Sequence, residues 1–321
     1  MKNVLLLMPE QFSCEALPVL SQLIPQYHIT PLSIDESMDV IYQALTNTEF
    51  LVFSGIEISR DLLFRAPKLR LVQKWGAGID SIDLRAAKEL KIQVANIPGG
   101  NAVGVAEHFF ALLLSLYKKI CLANEAMHSE HWPQPEILRQ GIEEASGKTL
   151  SIVGLGQIGK AIATRAIAFN MEVLYYKRTR LLPEEEKELK VSFGHLNDIV
   201  QQADVLGLTL PLTLETEGLF NLNIFRLMKP SSVLINVSRG RVINEPDLYQ
   251  ALTNGIIAGA GLDVYGTEPP SVQNPILKLN NVIATPHIAG RTKQAMRYIT
   301  EQCALNIRLI TAGKKARFLV S

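Results

Sequence analysis

Short apolar runs alternate with amphipathic stretches along most of the chain. In the first hundred residues the runs at 4–8, 29–32, 50–53, 69–72 and 92–95 predict strands. Between them 14–24, 38–45, 60–65 and 82–90 repeat apolar residues at helical spacing. Strands alternating with helices imply a parallel sheet covered by helices. The pattern then changes. Residues 102–127 predict one long helix, apolar nearly all round at 109–116, so that part is expected to be buried against another domain or subunit. The polar stretch 128–146, with Trp132-Pro133 and Pro135, reads as a surface loop. From Gly147 the alternation resumes, with strands expected at 150–153, 172–176, 205–208, 233–236, 257–262 and 282–284. Helices are expected at 196–202 and 292–311, and the turn cluster 96–101 is a candidate hinge.

The stretch Gly154-Leu155-Gly156-Gln157-Ile158-Gly159 sits between the run 150–153 and the helical run 158–168. In that context each glycine has a task. The first permits a tight turn, the second lets backbone approach a pyrophosphate, and the third lets helix and strand pack closely. Free N–H groups at the helix start then face an anion. The stretch predicts dinucleotide binding. The first strand is followed instead by Met8-Pro9-Glu10, so the first α/β half is not expected to carry the dinucleotide.

Composition narrows the picture. The 321 residues suffice for two domains, and a net charge of +1 provides no broad field for nucleic acid or an anionic membrane. No apolar run approaches the roughly 20 residues of a bilayer span. The start, Met1 to Met8, reads as a first strand rather than a signal peptide, because no small-residue cleavage site follows. Cys14, Cys121 and Cys303 are far apart and odd in number, which suits a reducing cytoplasm. His128 and His131 lack metal-ligand spacing, and no metal site is expected.

Three polar groups stand where strands of the second half end: Arg239, Glu268 and His287. Strand ends of a doubly wound sheet converge on one crevice, so these three can meet. Hydride transfer to a carbonyl needs such a set. A histidine supplies the proton, a carboxylate beside it favours the charged ring, and a guanidinium holds a substrate carboxylate by two parallel bonds. In the first half, the turn Lys74-Trp75-Gly76-Ala77-Gly78 exposes N–H groups that suit a small carboxylate, or is a plain strand-to-helix turn. Glu107 and His108 read either as catalytic or, more simply, as an interdomain contact.

In these stretches, in their order and spacing, the chain resembles the D-isomer-specific 2-hydroxyacid dehydrogenases. The likeness covers nearly the whole chain. It is densest from the glycine turn through Leu208-Thr209-Leu210-Pro211, Met228-Lys229-Pro230, Arg239-Gly240-Arg241, Gly261-Leu262-Asp263 and Glu268-Pro269 to Thr285-Pro286-His287-Ile288-Ala289-Gly290. The resemblance implies an α/β protein of two doubly wound parallel-sheet domains. A Rossmann nucleotide domain, 99–288, would be inserted in a flavodoxin-like substrate domain made of 1–98 and 289–321, with a cleft that closes on substrate. It implies His287 as acid/base, Glu268 as its partner and Arg239 as the substrate clamp. Ala77 and Gly78 would bind the substrate carboxylate, with Lys74 beside them. Gly154, Gly156, Gln157, Ile158 and Gly159 would hold the cofactor, Leu210 and Pro211 would line its adenine side, and Val237, Asp263 and Gly290 would also touch it. Asp263 would meet the nicotinamide carboxamide. The helix near 102–127 would help form a two-fold homodimer.

One departure bears on the cofactor. NAD-using members carry an aspartate at the end of the second nucleotide strand, for the ribose hydroxyl. Here Lys177-Arg178-Thr179-Arg180 stands in its place. Such a basic turn suits a 2′-phosphate, so NADP(H) is expected over NAD(H), which remains possible. Phosphoglycerate-type relatives tend to carry an arginine where Phe53 stands, so a small 2-oxo acid such as glyoxylate or hydroxypyruvate is the expected substrate. Alternatives are a D-3-phosphoglycerate-type dehydrogenase and a nucleotide-sensing, corepressor-like binding protein. Formate enzymes carry glutamine where Glu268 stands, which disfavours formate oxidation.

Overall fold

The computed structural model describes residues 2–129 and 131–320. It divides into two compact units, Met1–Asn101 with Arg291–Ser321, and Ala102–Gly290.

The first unit holds β1 (Lys2–Leu7), β2 (Tyr27–Leu32), β3 (Phe50–Phe53), β4 (Leu71–Lys74) and β5 (Gln93–Ala95). They pair in parallel in the order β2-β1-β3-β4-β5. Apolar side chains fill both faces of the central strands: Val4, Leu6, Phe50 and Val52 on one, Leu5, Leu7, Leu51 and Phe53 on the other. That is why these strands read as continuous apolar runs. The final helix, Lys293–Thr311, covers one face with Met296, Ile299, Cys303 and Ile307, and Thr292 caps its start by accepting from Ala295 N–H. Trp75 is buried there, donating from Nε1 to Thr300 Oγ1 at 2.9 Å, and serves packing.

The second unit holds β6 (Thr149–Val153), β7 (Glu172–Tyr176), β8 (Ser192–Phe193), β9 (Val205–Leu208), β10 (Val233–Asn236), β11 (Gly259–Leu262) and β12 (Val282–Ala284). The order is β12-β11-β10-β9-β6-β7-β8, again parallel throughout. The chain runs outward one way from β6 and the other way from β9. The switch point therefore lies between their C-terminal ends, where sheets of this class bind ligands.

Three local expectations are corrected. Strand β4 begins at Leu71 rather than 69, because Leu69 N–H closes a turn onto Ala66 O at 3.0 Å. The long helix is two, Ala102–Lys118 and Ile120–His128, broken where Lys119 takes φ of +55°. Its apolar part is buried within its own unit: Gly207 and Gly261 leave room on the sheet for Phe109 and Leu112. The expected loop contains a helix, Gln134–Gln140, with proline in its first turn, a place that tolerates the missing N–H. Among the described residues no helix is long and apolar enough to cross a membrane.

Candidate active site

The glycine turn follows β6 at the switch point. Gly154 has φ of +98°, and a side chain there would lie 2.8 Å from the Leu210 backbone, at the end of the neighbouring β9. A carbon at Gly159 would lie 2.7 Å from Gly154 O, whereas one at Gly156 would meet nothing within 4 Å. Two glycines are thus dictated by packing. The third faces open space at the N-terminus of the helix Gln157–Ala168, a start that no side chain caps. Thr209 fastens the turn by donating its hydroxyl to Gly154 O at 2.5 Å. An uncapped helix start beside an unfilled glycine fits the pyrophosphate of a dinucleotide.

Beside the turn is a cavity of about 400 Å³, lined in part by Gly154, Gly156, Lys177, Arg178, Thr179, Leu210 and Pro211. The basic turn divides here. Lys177, Arg178 and Thr179 line the cavity. Arg180, expected with them, is turned aside: its Nε and Nη2 both donate to Glu186, each at 2.8 Å, and its guanidinium lies over Phe193. Arg180 and then the Tyr175 hydroxyl hold the Glu186 carboxyl down to about 2. Glu215 and Thr216, not expected from the sequence, line the same cavity. The Thr213-x-x-Thr216 spacing was the available signal, since Thr213 N–H bonds the Thr216 hydroxyl at 2.8 Å.

Arg239, Glu268 and His287 come from the loops after β10, β11 and β12. Asn236 shapes the first loop, accepting from Ser238 N–H at 3.0 Å and donating to Arg239 O at 3.0 Å. Gly240 then crosses the second loop so closely that a side chain would lie 1.8 Å from the Tyr265 carbonyl carbon. Tyr265 joins the second loop to the third. Its hydroxyl donates to Thr285 O at 3.0 Å, and its N–H donates to Glu268 Oε1 at 3.1 Å. Burial, with Asp263 and Glu268 nearby, pushes the Tyr265 phenol up to about 12, so it stays a hydrogen-bond donor. No periodicity pointed to this tyrosine.

His287 presents Nδ1 to Glu268 Oε2 at 2.6 Å. Burial pulls the Glu268 carboxyl upward. The His287 hydrogen bond and charge, the Tyr265 N–H and the Arg239 charge outweigh it, leaving the group below the ordinary carboxylate range. A carboxylate so held orients the ring, while about two-fifths of the His287 side chain stays open to a reactant.

The remaining expected residues fall as follows. Asp263 is 1% exposed and already accepts from Thr285 Oγ1, Ile288 N–H and Ala289 N–H. Through these bonds it anchors the turn of His287. Val237 is buried after β10, and Gly290 closes the unit. Glu107 pairs with Arg165 at 3.4 Å within the unit, not across domains. Lys74, Ala77 and Gly78 belong to the other unit, after β4. There Lys74 Nζ lies over the Phe53 ring and Asn96 Nδ2 donates to Ala77 O at 2.6 Å.

The chain is similar to known proteins. The profile of the D-isomer specific 2-hydroxyacid dehydrogenase NAD-binding domain matches residues 110–289. The chain is 37% identical over 265 residues to a glyoxylate reductase of Thermococcus litoralis, covering 80% of this chain and 78% of that one. It is 36% identical to a D-3-phosphoglycerate dehydrogenase of Archaeoglobus fulgidus, across 82% of this chain and 47% of that longer one. Among solved structures it is similar to the acyclic imino acid reductase Bsp5 in complex with NADPH and D-Arg, with a TM-score of 0.87, 26% identity and all of both chains covered. A three-glycine cradle at the switch point of a parallel sheet, with this degree of kinship, leaves one conclusion: the chain belongs to the D-isomer-specific 2-hydroxyacid dehydrogenases and is an NAD(P)-dependent oxidoreductase.

Proposed function

We propose that the protein reduces a small 2-oxo acid, of the glyoxylate or hydroxypyruvate class, to the D-2-hydroxy acid with NADPH, His287 acting as acid/base. The observation that carries this reading is the 2.6 Å bond between His287 Nδ1 and Glu268, in the same unit as the glycine cradle. The bound nicotinamide supplies the hydride. The carbonyl oxygen gains charge as hydride arrives, and the His287 ring delivers a proton to it while Glu268 steadies the charged ring. Arg239 holds the substrate carboxylate and polarises the carbonyl.

Preference for NADPH is supported by Lys177, Arg178 and Thr179 on the cavity wall, where a carboxylate would be needed to accept from a ribose hydroxyl. A small unphosphorylated substrate is supported by Phe53, which is wholly buried and brings no charge. The phosphoglycerate-dehydrogenase relative keeps a second reading in play, a phosphorylated substrate met by Lys74. We further propose a cytoplasmic homodimer formed through the two helices after Asn101. Ile120, Leu122 and Met127 are exposed on the second helix, which buries none of its residues. A panel of glyoxylate, hydroxypyruvate, phosphohydroxypyruvate and bulkier 2-oxo acids, each with NADPH and followed by nicotinamide absorbance, tests the reading. Turnover confined to the phosphorylated acid would move it to the second substrate, and no turnover at all would favour a nucleotide-sensing binding protein.

A further inference from the structure

His108, on the helix Ala102–Lys118, takes no part in the chemistry above. Its Nε2 lies 2.8 Å from the Thr285 hydroxyl and 3.5 Å from Asp263 Oδ1. The direction of these bonds follows from the protons available. The single hydroxyl proton of Thr285 goes to Asp263 Oδ1, at 2.7 Å. Toward His108 the same oxygen is therefore an acceptor, and His108 carries a proton on Nε2 and donates it.

Asp263 passes the constraint on. Its Oδ1 also receives Ile288 N–H and its Oδ2 receives Ala289 N–H, both at 2.9 Å. These are the two residues after His287, and His287 N–H itself returns to Thr285 O at 3.1 Å. Within that loop His287 takes φ of +54°, a left-handed backbone that is uncommon for a residue with a side chain and that the bonds around it hold in place. Released from Asp263, the backbone relaxes toward the common regions, and the ring leaves the direction in which it meets Glu268.

We propose that His108 is a positioning residue for His287, acting through the Thr285 hydroxyl and the Asp263 carboxylate to hold the turn 285–289 in its left-handed form. The proposal rests on His287 as the acid/base. It assigns a task to a histidine that the sequence suggested only as a catalytic group or an interdomain contact.

Three substitutions test it. His108→Leu removes the donor at similar bulk, Thr285→Val cuts the middle of the chain, and His108→Gln returns an amide N–H within reach of Thr285. Each is assayed for kcat, for the KM of NADPH and for thermal midpoint, and the low-field proton resonance of the His287–Glu268 bond is recorded. His108→Leu and Thr285→Val are expected to lower kcat roughly ten- to hundredfold, with the KM of NADPH and the midpoint near wild type. The resonance broadens or vanishes in both, and His108→Gln restores most of kcat and the signal. An unchanged resonance and kcat in His108→Leu overturns the proposal, as does a His108→Gln variant as impaired as His108→Leu. A loss of kcat matched by an equal loss of midpoint in all three overturns it too. If His287→Ala retained turnover, the functional reading would fall, and the resonance alone would still decide the positioning claim.

Discussion

His287 and Glu268 stand nineteen residues apart and meet at 2.6 Å because Tyr265 ties both of their loops together. One of its bonds fixes the carboxylate, and the other fixes the carbonyl of Thr285, two residues before the histidine. The pair is thus built by the sheet ends rather than by a local motif. Removing either member has a separable consequence.

His287→Ala removes the proton donor and leaves the cradle intact. Turnover is expected to fall by about 10²- to 10⁴-fold, the usual contribution of a general acid. NADPH binding, followed by nucleotide fluorescence, is expected to stay near wild type. A variant with wild-type turnover would dismiss His287 as the acid.

Glu268→Gln keeps the shape and removes the charge. The ring then loses the charged partner that orients it, and kcat is expected to fall roughly ten- to hundredfold while NADPH binding stays near wild type. Steady-state kinetics on both proteins check this, and an unchanged kcat counts against the pairing.

Arg178 and Arg180 are predicted to differ although one residue separates them. Arg178→Ala deletes a cation from the cavity wall, and a lost charge-assisted bond of about 1.5–3 kcal/mol corresponds to a roughly ten- to hundredfold rise in the KM of NADPH. The KM of NADH should hardly change. Arg180→Ala breaks the bond to Glu186 and should lower the thermal midpoint with little effect on either KM. Equal effects of the two substitutions on the KM of NADPH would contradict this placement.

Acid stability follows from the same ion pair. Glu186 is held at about 2, below its ordinary value, so the stability it brings is complete above the carboxylate range and lost as pH falls through its folded value. Glu268 acts in the same direction. The midpoint of wild type should decline from roughly pH 4 toward about 2. Glu186→Gln should melt lower at neutral pH and converge with wild type at the acid end. Parallel curves across that window would show that Glu186 carries no such linkage.

Much of the fold was legible because buried parallel strands announce themselves as short apolar runs. Phe50–Phe53, Val205–Leu208 and Val233–Asn236 lie where that pattern puts them. The break at Lys119 was not legible, since neither glycine nor proline marks it and a lysine takes the left-handed backbone. The helix Gln134–Gln140 hid behind Pro133 and Pro135, which read as breakers yet suit a helix start. In the site, strand ends and the glycine spacing pointed to the stretches that the fold brings to the sheet's C-terminal edge. The aim of each side chain within them was not legible: Lys177 and Arg178 reach the cavity while Arg180 turns to Glu186. The contact of His108 with Thr285 spans 177 residues, a distance at which no periodicity speaks.

The most direct measurement compares steady-state reduction of glyoxylate and of hydroxypyruvate by wild-type protein with NADPH and with NADH. At least one acid is expected to be turned over, with kcat/KM roughly ten- to hundredfold higher for NADPH, as a bond from Arg178 to the 2′-phosphate implies. Equal efficiency with the two cofactors, or oxidation of neither by any 2-oxo acid, would contradict it.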